Sequence, residues 1–228
     1  MQDTYTLDLS AFTLEKLKNV LQSARLLPSQ KILGENIDQR FALLRQHGIE
    51  NLQQLQDALK TKPALAAFAR QTGLPADYLT ILRREVNSYQ PQPVDLKNFP
   101  GVELDAIEKL AQLGIRNTRQ LFAHVLTPQS RQELAGRSGI ECAALLELTR
   151  LTDVARMKWV GPKFARLLLE AGYGSVEKVA TADADRLYHD ITRTNAERGI
   201  YQGGLGLEDI RLWINFTVQD VPRVIVYD

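Results

Sequence analysis

The sequence predicts a mostly α-helical protein of tandem helix-hairpin-helix-like helical repeats, with short N- and C-terminal strands that pair with each other. The first observation is an internal repeat: AQLGIRNTRQL, residues 111–121, matches LRQHGIENLQQL, residues 44–55. Gly48 corresponds to Gly114 and Asn51 to Asn117, so the two copies lie 66 residues apart. A repeated supersecondary unit determines the architecture, because stacked copies share a continuous core.

The second observation is the regular spacing of apolar residues and glycines. Leu14, Leu17, Val20 and Leu21 recur every three or four residues, which predicts the first helix. Later helices are expected to end at glycines that adopt a left-handed cap. These glycines are Gly48, Gly73, Gly114, Gly139 and Gly172. Three residues after the first, third and fifth of them come Asn51, Asn117 and Ser175, the residue types that cap helix N-termini.

The spacing divides the chain into four parts. A unit of four short helices is predicted twice, and the segment SYQPQPVDL, residues 88–96, is expected to be the extended connector between the two. A third, diverged copy contains LLLEAGYGSVEKV. The predicted parts are an N-terminal strand and helix (1–32), a first repeat unit (33–90), a second unit (91–152), and a third helix-hairpin-helix unit with the C-terminal strand (153–228).

The third observation concerns the two ends of the chain. Residues 4–9 (TYTLDL) alternate in polarity, and residues 223–227 (RVIVY) are rich in β-branched side chains. Both patterns predict strands. Since a lone strand is unstable, we expect the two to pair and tie the ends together.

Composition limits the function. The formal net charge is +1, so the chain has no global field that attracts polyanions. Cys142 is the single cysteine, which excludes an intramolecular disulfide and predicts a buried small hydrophobe. The start of the chain lacks a signal-peptide pattern, and no segment approaches the length of a membrane helix. These features predict a cytoplasmic protein without a membrane partner.

The third copy holds the motif with the clearest chemistry. VARMKWVGPKFARLL, residues 154–168, fits the helix-hairpin-helix pattern h-x-x-h-x-G-h-G-x-x-x-A-x-x-h, with Trp159 in place of the first glycine. Such a hairpin leads into a helix whose first N–H groups lack partners and face a phosphate oxygen. Residues 155–169 also contain four cations and no acid. The candidate nucleic-acid-binding residues are Arg156, Lys158, Trp159, Val160, Gly161, Lys163 and Arg166.

No other motif predicts catalysis, a metal or a cofactor. His47, His124 and His189 have no carboxylate or cysteine at ligand spacing, so we interpret all three as structural. Asp183 and Asp185 fit the cap and first turn of a helix rather than a metal loop. The segment YQGGLG, residues 201–206, lacks the preceding strand and following lysine of a phosphate loop. The chain is therefore not expected to be an enzyme.

The third copy also resembles a known family. The run from DVARMKWVGPKFARLL to YHDITRTN, followed by LGLEDIRLWI, is similar to an uncharacterised bacterial domain-of-unknown-function family of tandem helix-hairpin-helix-like repeats. The resemblance covers residues 94–216, with residues 33–89 as a further copy. It implies an all-α fold, no established activity, and backbone binding to DNA or RNA by analogy with helix-hairpin-helix domains.

Two functions follow as expectations. The first is a non-enzymatic binding protein whose third hairpin contacts the backbone of DNA or RNA without reading its sequence. The alternative is a helical protein–protein interaction scaffold without nucleic-acid binding. In that case the hairpin is a packing unit with a solvated basic face. The neutral net charge favours this alternative, and so does the acidic hairpin of the second copy, FPGVELDAIEKL (residues 99–110). That hairpin keeps Gly101, but Glu103 replaces the second glycine, and Asp105 and Glu108 follow.

Overall fold

The computed structural model describes residues 4–228, and it is mostly helical. The chain divides into two compact units. One comprises Leu7–Gln90, and the other comprises Pro91–Asp228 together with the described residues up to Thr6. Within the described residues, no helix is both long and apolar enough to cross a membrane.

The unit Leu7–Gln90 contains five helices. They are α1 (Leu14–Ser23), α2 (Ile37–Gln46), α3 (Leu52–Ala58), α4 (Lys62–Thr72) and α5 (Ala76–Asn87), with a 3-10 turn at Pro28–Leu33. The apolar stripe of α1 that the spacing predicts is buried, and its members are Leu14, Leu17, Val20 and Leu21. The core of this unit therefore forms from one face of each short helix.

The larger unit contains eight α-helices among its described residues. They are α6 (Leu104–Gln112), α7 (Thr118–Phe122), α8 (Pro128–Ser138), α9 (Cys142–Val154), α10 (Pro162–Glu170), α11 (Val176–Ala180), α12 (Ala184–Arg198) and α13 (Leu207–Trp213), with a π-helical end at Ile214–Val218. One hydrophobic core runs through all of them and includes Leu121, Leu148, Leu168 and Trp213. The predicted boundary between residues 152 and 153 lies inside α9 and within this one unit.

The predicted helix ends are confirmed. Gly48 and Gly114 both have a φ of +80° and Gly172 has +92°, a conformation in which a Cβ is disfavoured. The side chain of Asn51 accepts a hydrogen bond from the amide of Gln54, and that of Asn117 accepts one from Gln120, each at 3.0 Å. These local signals set where each helix stops and where the next begins.

The helix order follows the 66-residue offset. Helices α2–α5 correspond in order to α6–α9; α3 begins at Leu52 and α7 at Thr118, while α4 ends at Thr72 and α8 at Ser138. We predict that residues 33–84 superpose on residues 99–150 without gaps and that neighbouring helices cross at the same angles in both segments. A different pair of crossing angles in the two segments would contradict the repeat.

Replacing Asn117 with alanine is expected to lower the free energy of unfolding by about 1 kcal/mol, because α7 loses its N-terminal cap. The Gln120 side chain also accepts from the Asn117 amide, which alanine retains, so the change removes the side-chain half of a capping box and leaves the other half. Denaturant unfolding measures the change. The exposed Glu108 on α6, changed to alanine, is the control and should alter stability by less than about 0.5 kcal/mol. An equal effect of the two changes would contradict the cap.

The two predicted strands are wrong. Neither residues 4–9 nor residues 223–227 form a strand or enter a sheet. Tyr5, Leu7 and Leu9 are buried, but Thr6 is buried as well, so the burial does not alternate as a strand requires. The physical reason is that neither segment has a partner strand to complete a ladder. The guanidinium of Arg156 instead donates to the carbonyls of Thr4 and Tyr5 and to that of Pro222. A side chain therefore connects Thr4 and Tyr5 with Pro222, the residue directly before the second segment.

The chain also differs from expectation between residues 196 and 218. The glycine-rich sequence AERGIYQGGLG predicts a loop over residues 196–206. The loop is shorter, because α12 continues to Arg198 and ends at Gly199 with a φ of +62°. The Asn195 side chain then fixes the loop by donating to the carbonyl of Tyr201 and accepting from its amide, at 2.7 and 2.8 Å. Asn195 thus has a structural role that its sequence position alone does not reveal.

Candidate functional site

The third hairpin comprises residues 155–161, which join α9 to α10. Its apolar residues point inward: Ala155, Met157 and Val160 are all buried, at 4% exposure or less. The amide of Val160 donates to the carbonyl of Met157 at 3.2 Å, which closes the turn. These contacts hold the start of α10 in one place.

Trp159 occupies an unusual position in this turn. Its φ is +69°, and Gly101 in the equivalent place of the second hairpin has +75°. A bulky residue rarely adopts this left-handed conformation, which costs roughly 1–2 kcal/mol without glycine. The indole is nevertheless 52% exposed. The protein therefore holds a large aromatic side chain at the surface in a strained backbone.

The N-terminus of α10 lies directly after Trp159. Gly161 is the N-cap and makes no side-chain capping bond, and Pro162 occupies the first turn. Lys163 is exposed on the same turn. Uncapped amides carry the positive end of the helix dipole, so this end of α10 suits an anionic group.

Arg156 does not reach this surface. Its side chain is buried, pairs with the buried carboxylate of Asp153, and donates to backbone carbonyls of both terminal segments. The guanidinium also lies 4.8 Å from the ring centroid of Phe122. Every described contact of Arg156 is internal, so the expectation that it touches a phosphate is corrected.

The expectation that Lys158 and Arg166 contact a phosphate is also corrected, because both side chains are buried. Lys158 is 2% exposed, and its ammonium lies 4.5 Å from the ring centroid of Trp159, so it packs against the indole in a cation–π contact. Arg166 is 7% exposed and donates to the carbonyl of Pro100 and to Glu147, each at 2.6 Å. Among the seven candidate residues, Trp159, Gly161 and Lys163 are exposed, whereas Val160 is buried in the hairpin.

The sequence contains a partial signal for these internal roles. Asp153 stands three residues before Arg156, and Glu170 stands four residues after Arg166, spacings at which helical side chains meet. Both pairs form in the structure. Residues 155–169 contain no acid, but Asp153 and Glu170, which pair with these arginines, lie just outside that range.

The second hairpin presents the opposite charge. Its helix α6 has Glu103 as N-cap and Asp105 in the first turn, with Asp105 in an ion pair with Lys109 at 2.7 Å. Alignment of Gly101 with Trp159 places Asp105 where the third hairpin has Lys163. The two hairpins share a backbone turn but offer an anion different surroundings.

Other candidate chemistry is accounted for by local structure. No group of histidine, cysteine, aspartate or glutamate side chains in the described part of the chain could hold a metal ion. The two ring nitrogens of His47 lie within hydrogen-bond distance of the carbonyls of Leu43 and Gln71. Asp183 caps α12, as predicted. Cys142 is exposed at the first position of α9, so the prediction that it is buried is wrong.

Helices α6–α13 thus define an all-α domain with two helical hairpins, one acidic and one with an exposed tryptophan and lysine. The chain belongs to the family described as Domain of unknown function (DUF4332), whose model matches residues 100–217, just over half of the chain. This match contains both hairpins, whereas residues 33–89, the further copy expected from the resemblance, lie outside it. No curated protein and no solved structure matches the chain.

Proposed function

We propose that the protein is a non-enzymatic binding protein that contacts the backbone of DNA or RNA through its third hairpin. The observation that carries this proposal is the exposed Trp159 directly before the uncapped N-terminus of α10, with the exposed Lys163 on its first turn. The proposed location is a bacterial cytoplasm. This reducing compartment suits a chain whose single cysteine cannot form an intramolecular disulfide.

The ligand contact is small. The amides at the start of α10 and the ammonium of Lys163 suit one or two phosphate groups, since Arg156, Lys158 and Arg166 are occupied inside the protein. Phosphate contacts of this kind position a protein on the backbone and read no sequence. We therefore expect weak binding without sequence preference.

Trp159 adds a second kind of contact. An exposed aromatic ring stacks on any base, which stabilises single-stranded binding by about 1–3 kcal/mol per base. The backbone strain at this residue supports a role for the side chain, because strained conformations cluster at functional sites. Single-stranded nucleic acid is therefore the preferred ligand in this proposal.

A protein–protein interaction scaffold is the second candidate. The near-neutral charge and the acidic second hairpin with Glu103 and Asp105 favour it over a polyanion binder. The larger unit also exposes apolar side chains, Leu104 at 70% and Leu113 at 39%, of the kind that partner proteins cover. In this reading Trp159 is an anchor in a protein interface.

Fluorescence anisotropy with labelled single-stranded and duplex DNA and RNA separates the two candidates. Between about 50 and 200 mM salt, each phosphate contact should weaken binding roughly threefold. Nucleic-acid binding with this salt dependence supports the first candidate. Absence of binding at low salt would contradict it and leave the scaffold.

Replacing Trp159 with glycine should separate binding from stability. Glycine accepts the positive φ, so the free energy of unfolding should stay unchanged or rise by up to about 1 kcal/mol. The affinity for single-stranded nucleic acid should fall about tenfold or more, because a stacking partner is lost. Denaturant unfolding and anisotropy measure the two quantities. Unchanged affinity in the folded variant would place the aromatic contact elsewhere.

A further inference from the structure

The tail segment, residues 223–227, is held against the larger unit in a way that differs from ordinary strand pairing. It has no regular secondary structure. One backbone bond anchors it, from the amide of Val226 to the carbonyl of Leu126 at 2.8 Å. The remaining described contacts of Val226 and Tyr227 come from side chains of α8 and α9.

Arg131 on α8 holds the backbone of the tail segment. One guanidinium nitrogen donates to the carbonyl of Val226 at 2.8 Å, and the other donates to that of Tyr227 at 3.4 Å. The first nitrogen also donates to the carbonyl of Val125 at 3.0 Å, which fixes its direction. A buried arginine is thus aimed at the main chain of an extended segment, whatever side chains that segment carries.

The Tyr227 side chain packs against α8 and α9. Its ring centroid lies 5.6 Å from the guanidinium carbon of Arg131 and 5.1 Å from that of Arg150, so two cations pack on one aromatic ring. Its hydroxyl donates to the carboxylate of Asp153 at 2.9 Å. Burial and the neighbouring Asp153 charge both raise the pKa of Tyr227, which keeps the hydroxyl protonated as a donor. The Val226 side chain, by contrast, is 51% exposed.

We propose that Leu126, Arg131, Arg150 and Asp153 form a binding surface for an extended peptide that carries a tyrosine, and that the tail segment fills it as an internal ligand. The contacts are those by which proteins read extended peptides: main-chain hydrogen bonds for affinity and one side-chain site for specificity. A partner protein with an exposed extended tyrosine segment can take the place of the tail segment. Because the Val226 side chain points to solvent, the residue before the tyrosine is free to vary.

The surface also excludes related ligands. A phenylalanine in place of tyrosine leaves the Asp153 carboxylate without its hydroxyl donor. A phosphotyrosine lacks this hydroxyl donor and would bring its negative charge against the same carboxylate, which is 3% exposed. The order of affinity expected for peptides is therefore tyrosine above phenylalanine, with phosphotyrosine last.

A peptide-binding assay on the full chain tests this proposal. The probe is a fluorescently labelled peptide of sequence VPRVIVYD, and the receptor is the Tyr227→Ala protein, in which the internal ligand is weakened. Anisotropy should show binding at least about tenfold tighter to Tyr227→Ala than to the unchanged protein, in which the site is filled. Equal binding to both proteins would overturn the proposal.

Peptide and receptor variants complete the test. The peptide with alanine in place of its tyrosine should not bind, whereas alanine in place of the preceding valine should leave affinity within about twofold. Adding Arg150→Glu to the Tyr227→Ala protein should abolish binding. If Tyr227→Ala fails to fold, Tyr227→Phe replaces it as receptor, with a smaller gain in peptide binding expected over the unchanged protein. Failure of either folded receptor to bind the peptide would also overturn the proposal. None of these outcomes depends on nucleic-acid binding by the third hairpin.

Discussion

Replacing Arg156 with alanine is expected to lower the free energy of unfolding of the larger unit by about 3–5 kcal/mol. Removal of one member of a buried ion pair leaves the other charge without its countercharge, and Asp153, at 3% exposure, would keep only neutral donors such as the Tyr227 hydroxyl. The change also takes away the donor to the carbonyls of Thr4, Tyr5 and Pro222. The ion pair and the bond to the Tyr5 carbonyl are buried, so water has little access to the groups left behind there.

Denaturant unfolding of the Arg156→Ala protein measures this effect. Lys163→Ala is the matched control, since it removes a cation from the exposed start of α10 and should change stability by less than about 0.5 kcal/mol. A similar, small effect of both substitutions would mean that Arg156 is a surface cation, as the sequence pattern first suggests.

Replacing Arg166 with alanine is expected to destabilise the same unit by about 2–3 kcal/mol, the cost of losing buried hydrogen bonds from a charged group. The side chain links α10 to the second hairpin through the carbonyl of Pro100, and it also pairs with Glu147 and Glu170. The effect should be smaller than at Arg156, because the Glu147 side chain is 39% exposed and water can solvate it.

The hypothesis that Arg166 binds phosphate predicts a different result for its replacement by alanine. If Arg166 contacted a ligand, its removal would weaken binding and leave stability nearly unchanged. We expect the reverse: unfolding at lower denaturant concentration, and unchanged affinity of the protein that remains folded. Unfolding curves and anisotropy on the same preparation decide between the two.

The features that the sequence predicted well depend on neighbours a few residues away. A glycine such as Gly114 ends a helix because its own φ is positive, and Asn117 begins the next one by accepting from an amide three residues on. Such interactions are complete within one turn of chain, so residue type and spacing suffice to predict them.

The candidate site was harder to predict because side-chain direction depends on distant parts of the chain. Arg166 is engaged by Pro100, 66 residues away, and Arg156 by Tyr5, 151 residues away. A run of cations without acids looks like a surface patch when only local sequence is considered. Asp153 and Glu170 are acceptors that the sequence spacing could have indicated. The other acceptors include the carbonyls of Pro100 and Tyr5, and backbone carbonyls leave no mark in the amino-acid sequence.

The ends of the chain show the same limit. Alternating and β-branched patterns predict extended backbone, but a strand also requires a partner with a matching ladder. In the described residues the tail segment has main-chain contact at Leu126 and side-chain donors at Arg131. The pattern therefore identified an extended segment and could not identify what pairs with it.

The most direct test of the proposed binding through the third hairpin compares Lys163→Glu with Lys97→Glu. Both lysines are exposed in the larger unit, and both substitutions change the net charge equally, but Lys163 lies at the start of α10 and Lys97 in the short 3-10 turn at Leu96–Asn98. Anisotropy with single-stranded DNA at low salt should show at least about a tenfold loss of affinity for Lys163→Glu and less than about a threefold loss for Lys97→Glu. Equal losses in the two folded variants would contradict binding at the third hairpin.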